Sequence, residues 1–279
     1  MAAKLNSLIR VTSVILAFLF FAVWMVSAQT VFDPGCPGPF GDLKSTGRPV
    51  DKCSMQGLGS TPSQLAQNLQ KNNLCLTTPA VLITLLSFRN LQAAVEQRNI
   101  PFGDSQHLPS DRSVLRSIYT TSVGDTIGEG TLVTYVGYVL NAHFSDVSSG
   151  ESVNCKLLGR MNNDIHITLA GSKNSSPCDG IVAEIIPHFR PLAWEDIVST
   201  PRDHPFLIVG QLFFDASHRP CKPGKPANPP RVSLWEIHPI YAMYVCRGTT
   251  PAECQATNRE AWVPFDQRYK RQASDQLYR

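Results

Sequence analysis

Two short stretches set an imidazole and a carboxylate two residues apart: Asp164-Ile165-His166 and Glu236-Ile237-His238. On a strand that spacing puts both side chains of a pair on one face. Imidazole and carboxylate are hard-to-borderline donors, suited to zinc or a similar divalent ion. The same groups serve as general acid and base. Asp215-Ala216-Ser217-His218 is a further polar cluster at a strand end, and Glu151-Ser152-Val153-Asn154-Cys155 is another. The candidate ligand or metal residues are therefore Asp164, His166, Asp215, His218, Glu236 and His238, and the candidate cofactor is a divalent metal. No catalytic residue is singled out.

A plainer reading competes. Histidine and carboxylate on the solvent face of a strand form cross-strand pairs worth about 0.2–1 kcal/mol each. Trp235 alternates with Glu236 and then fills the core, while Arg231 pairs with Glu236 or Asp215. His143, His188 and His204 fall in or beside turns and add nothing. The chain has no G-x-S-x-G nucleophile elbow, no H-E-x-x-H helix and no glycine-rich phosphate loop. Cys155 as a nucleophile is set against Cys155 in a disulfide, which suits an exported chain better.

The elements that would carry these residues follow from periodicity. Residues 29–60 are rich in Gly and Pro and read as irregular. Thr61-Pro62-Ser63-Gln64 is a capping-box start with Leu65 and Leu69 on one face. Thr78-Pro79 opens a second helix that Leu82, Leu85, Leu86, Leu91 and Val95 carry to about Gln97. Ser110-Asp111-Arg112 opens a third, short one ending near Ile118. After Gly124 the pattern turns to strands: Thr131 to Phe144, Asp164 to Leu169, Ile181 to Ile186, Pro205 to Asp215 and Arg231 to Cys246. A short helical insert, Leu192 to Val198, precedes the fourth. Five uneven strands with that insert predict a small OB-like β-barrel, an α+β fold with a short helical N-terminal region. A two-sheet sandwich is the competing architecture. In an OB barrel the third and fifth strands are neighbours, which leads us to expect the Asp164/His166 and Glu236/His238 pairs on adjacent strands.

The N-terminus reads as an export signal. Lys4 and Arg10 precede the apolar run Val11 to Val26, and Val26-Ser27-Ala28 fits a cleavage site before Gln29. The run is shorter than the roughly 20 residues of a membrane-spanning helix. An uncleaved anchor is the alternative. The expected organisation is a signal peptide over 1–28, a Gly/Pro-rich then helical region over 29–123, a barrel over 124–250 and a polar tail over 251–279. No transmembrane span remains after cleavage, and the site of action is the periplasm or the outside of the cell. All eight cysteines lie beyond the signal, and their even number predicts disulfides. Cys155 with Cys178, Cys246 with Cys254 and Cys36 with Cys53 are the expected pairs. The formal charge of +3 falls to about +1 without Lys4 and Arg10, so no basic footprint for nucleic acid is present.

The blocks Glu151–Cys155, Asp164-Ile165-His166, Glu184-Ile185-Ile186-Pro187, Gly210–His218 and Trp235-Glu236-Ile237-His238-Pro239 resemble a group of uncharacterised exported bacterial proteins of OB-like build. The Trp-Glu-Ile-His-Pro block is the most specific of them. The resemblance implies the barrel and no activity. These readings converge on an exported, disulfide-stabilised OB-like binding module of unknown ligand. A metal-dependent hydrolase using the six polar residues and a structural envelope protein are the alternatives.

Overall fold

Thirteen residues from Leu132 to Phe144 make the longest strand, β4, and a barrel closes on it. The computed structural model describes residues 31–36, 47–104, 108–109, 111–225 and 227–269. Two short elements, β2 (Tyr119–Thr120) and β3 (Thr126–Ile127), form a separate hairpin. The barrel continues through β5 (Ile165–Ala170), β6 (Ile181–Ile185), β7 (Pro205–Phe214) and β8 (Trp235–Cys246). Strand β4 pairs with β5, β5 with β6, β6 in parallel with β8, β8 with β7, and β7 back with β4. That is the OB order, and closure removes the open edges that would otherwise invite pairing. Two further short strands extend the sheet: β1 (Val81–Leu82) along β4, and β9 (Trp262–Pro264) along β8.

Alternation sorts the side chains. Ile165, Ile167, Leu169, Ile181, Ala183, Ile185, Trp235 and Ile237 join one apolar core with Phe206, Ile208, Leu212 and Phe214. Asp164, Glu184, Glu236 and His238, at the intervening positions, face the other way, yet all are at most 1% exposed. The polar face of these strands is thus covered. Gly210 sits at a break in the β7–β8 register, where a Cβ would lie 2.5 Å from the Pro239 carbonyl.

The cover is the N-terminal region. Helix α1 (Pro62–Lys71) is capped by Thr61, whose hydroxyl accepts from the Gln64 amide. Gln64 reaches the Ser60 amide at 2.8 Å. Gln211 of β7 donates to the Gln70 carbonyl at 2.7 Å and fixes the end of α1 against the sheet. Helix α2 runs Leu85–Gln97 with Thr84 and Ser87 in a capping box. Its start lies later than Thr78-Pro79 suggests, because Val81 and Leu82 pair with Val133 and Thr134 instead. The third expected helix is a 3₁₀ turn, Arg112–Leu115, capped by Asp111. The insert Leu192–Val198 is also 3₁₀.

Four disulfides hold this arrangement: Cys36–Cys75, Cys53–Cys155, Cys178–Cys221 and Cys246–Cys254. The expected Cys246–Cys254 bond is present. The expected Cys155–Cys178 and Cys36–Cys53 bonds are not. Cys155 precedes β5 and Cys178 follows it, so the two sit beyond opposite ends of a strand about 17–20 Å long, far outside the roughly 7 Å reach of a disulfide. Cys53 instead clamps the N-terminal region onto the loop before β5. The segment after Cys254 is less of a tail than its polarity suggests. Strand β9 pairs with β8, and Phe265 is fully buried in the core. The expected signal peptide, 1–28, and residues 270–279 lie outside the described residues. Among the described residues no helix is long and apolar enough to cross a membrane.

Candidate functional site

The neighbour relation expected for the polar pairs fails by one strand. His166 lies in the second barrel strand, β5, and Asp164 just before its start, not in the third. Strand β6 stands between β5 and β8, and its only charged residue, Glu184, fills the gap. Register places Glu184 opposite His166 and Val182 opposite Glu236, so Glu184 comes level with His238. Glu184 Oε1 lies 3.1 Å from His166 Nε2, and Oε2 lies 2.8 Å from His238 Nδ1. His238 Nε2 is 3.7 Å from Asp164 Oδ2, and His238 Nδ1 is 3.6 Å from Glu236 Oε2. His166 also lies 3.7 Å from Glu151. Glu236 pairs with Arg231, and Arg231 reaches Asp215 at 3.4 Å. Asp215 in turn holds His218 Nδ1 at 2.5 Å and accepts from Ser217 Oγ at 2.5 Å. All six candidate residues thus join one network, with Glu184, Glu151 and Arg231 as its links.

Apart from the partly exposed His166 and His218 this network is buried, which the solvent-face reading did not anticipate. Burial favours the neutral form of each group, and neighbours then decide. Burial raises Asp164, reinforced by the nearby Glu151 charge, to about 7. Burial opposes charging of His238, but Glu184 outweighs it and lifts the imidazole to about 9. His166 is held well above its usual value against the same burial, chiefly by Glu184. Glu184 stays well below the carboxylate range despite burial, through His166 and His238. Glu151, against its burial, is drawn down to about 2 by its contact with His166.

Charge balance does not satisfy geometry. Asp164 Oδ2, Glu184 Oε2, Glu236 Oε2, Glu151 Oε2 and both nitrogens of His238 are buried without a well-aligned hydrogen bond. Buried polar atoms left in this state each cost about 1–3 kcal/mol, so a cluster of them calls for a missing partner. Asp164, Glu184 and His238 each offer a ligand atom, and the three atoms lie within 4.8 Å of one another. That donor set, two carboxylates and an imidazole, fits zinc, manganese or a similar divalent ion.

Glu184, His166 and Glu151 also line a cleft of about 450 Å³, whose other walls include Lys71 and Gln67 of α1, Ser217, His218 and Lys156. Sequence reasoning missed Glu184 and Lys71. Glu184 did carry a signal, a lone acid inside the apolar run Ile181 to Ile186. Lys71 carried none, since a lysine ending a helix is ordinarily solvated. Cys155, weighed as a nucleophile, is spent in its disulfide. No protein-family model, curated protein or solved structure matches this chain.

Proposed function

We propose that this chain works in an oxidising compartment outside the cytoplasm, as a disulfide-stapled barrel that binds a divalent metal ion on Asp164, Glu184 and His238 beside a ligand cleft. The convergence of three buried, unsatisfied donor atoms carries the metal reading. Four disulfides and the leader over 1–28 support the compartment. Glu184 belongs to both the donor trio and the cleft wall, so a ligand in the cleft comes close to the ion. Glu236 and His166 orient the trio from either side. A metal ion in this position would act as a Lewis acid toward a ligand oxygen.

Hydrolysis is the second reading. It draws on one observation: the Asp215–His218 pair on the same cleft wall. Asp215 raises the proton affinity of His218 and occupies its Nδ1, so Nε2 of this cleft-lining residue is the nitrogen that could protonate a leaving group.

The test is metal analysis of protein purified without a histidine tag, followed by melting with and without chelator. One divalent ion per chain, and a melting temperature that falls with chelator and recovers on adding Zn²⁺ or Mn²⁺, is the expected result. Metal-free protein whose melting responds to neither chelator nor added ions overturns the reading.

A further inference from the structure

Outside the donor trio, the cleft holds two nitrogen-bearing side chains, Lys71 and His218, with nitrogens not spent on a partner. Lys71 closes α1 half-buried, with its Nζ 6.0 Å above the Phe213 ring. Among the described residues it makes no hydrogen bond or ion pair. Burial opposes its charge, but Glu184, Asp215, Glu151 and Glu236 keep the ammonium protonated. Each of these carboxylates already faces another cationic group, although Glu184, Glu151 and Glu236 each keep one oxygen without an aligned hydrogen bond. Glu184 faces His166 and His238, Asp215 faces His218 and Arg231, Glu151 faces His166, and Glu236 faces Arg231. His218 is the second group. Asp215 fixes its Nδ1, its side chain is 34% exposed, and its Nε2 has no partner among the described residues. The ring cannot turn without breaking the Asp215 contact, and Asp215 is itself fixed by Arg231 and Ser217. Lys156 lines the cleft as well, with Asp146, Glu151, Glu184 and Asp215 as its carboxylates.

An ammonium with no ion pair and, in the protonated ring that Asp215 favours, an imidazole Nε2–H on one concave wall suit an oxyanion, since charge-assisted donors to such oxygens are the strong kind. We propose that the cleft binds the oxyanion group of a small ligand, a phosphoryl or carboxylate, between Lys71 Nζ and His218 Nε2. This deepens the reading of the cleft as a ligand site and does not depend on the metal, which is measured separately.

The probes are inorganic phosphate and succinate, titrated by calorimetry into wild type, Lys71→Met, Lys71→Arg, His218→Gln and, as a control outside the cleft, Lys222→Met. Each titration is run on metal-free and on Zn²⁺-treated protein. Phosphate or succinate should bind wild type one to one. Lys71→Met and His218→Gln should each weaken it by about tenfold or more, as lost charged hydrogen bonds do. Lys71→Arg should retain most of the affinity, which separates loss of charge from loss of fold, and Lys222→Met should leave it unchanged. Which probe binds tells phosphoryl from carboxylate ligands. No binding of either probe to wild type overturns the proposal, as does binding that Lys71→Met and His218→Gln leave intact or that Lys222→Met weakens equally. Metal content without anion binding would leave the metal reading standing and remove this one.

Discussion

Two of the buried ionic clusters among the described residues are finished differently. In one, Arg48 and Arg190 share Glu195 at 3.2 and 3.0 Å. Arg48 also donates to the Pro187 carbonyl, and Arg190 to the carbonyls of Asn163 and Arg160. The guanidinium forks end on fixed acceptors, as a structural staple requires. In the other, around Glu184, ion pairs abound, but oxygens and nitrogens of four carboxylates and two histidines lack aligned partners. Both clusters carry charge out of water, and that is costly unless every group is met. The staple meets the demand with protein atoms alone. The Glu184 cluster leaves it open, and a bound ion would close it. His188, beside the staple, also lacks hydrogen bonds, but burial and the neighbouring arginines disfavour its charged form, and it stacks on Phe32 with ring centroids 3.6 Å apart.

If the distinction holds, removing a staple residue should cost the most and should not depend on metal. Arg190→Met leaves Glu195 with Arg48 alone and strands the Asn163 and Arg160 carbonyls. A loss of about 3–5 kcal/mol in urea melts, equal with and without chelator, is expected. Equal values for Arg190→Met and wild type would make the staple ornamental.

Next comes the metal term. Saturating divalent ion should stabilise wild type by several kcal/mol, about 4 at a thousandfold excess over Kd. Asp164→Asn should lose that increment while folding in chelator about as well as wild type does, because burial already favours the neutral acid there. Thermal melts across a Zn²⁺ series read both quantities. An Asp164→Asn protein that gains as much as wild type would remove Asp164 from the site.

His188 gives a pH effect of intermediate size. Burial, with the charges of Arg190 and Arg48, pushes it from 6.5 down to about 3. The unfolded chain therefore takes up a proton that the folded one refuses, and stability should fall as pH drops from about 6.5 toward 3. His188→Leu should flatten part of that slope in denaturant melts at stepped pH. An unchanged slope would place the acid sensitivity elsewhere.

The smallest effect belongs to His143, which stands opposite His166 on β4 with 5.6 Å between ring centroids. Its half-exposed ring should be worth about 1 kcal/mol or less to stability, as cross-strand pairs at the surface are. His143→Ala melting several degrees lower would mean the network reaches further than β5.

Local pattern made the barrel legible. Ile165, Ile167 and Leu169 alternate with His166 and Thr168, and the five strands fall close to where that alternation and the turn residues put them, except that β8 starts at Trp235 rather than Arg231. The six polar residues were legible as a group for the same reason. Their burial was not, because it comes from α1 and the Cys53–Cys155 clamp, both distant in sequence. Glu184 was passed over because a strand covered on both faces shows no alternation, and a lone acid then looks like an irregularity. The cysteine pairings depend on which strand ends meet, and that is a property of the closed barrel rather than of spacing.

Anomalous X-ray scattering at the metal edge, on crystals of untagged protein grown with Zn²⁺, tests the metal site most directly. A single strong peak among Asp164 Oδ2, the Glu184 carboxylate and the His238 imidazole, absent from Glu184→Gln crystals, is the expected result. A trio region without a peak at saturating Zn²⁺, with His238 still bonded to Glu184, would show the cluster to be a second staple and contradict the metal site.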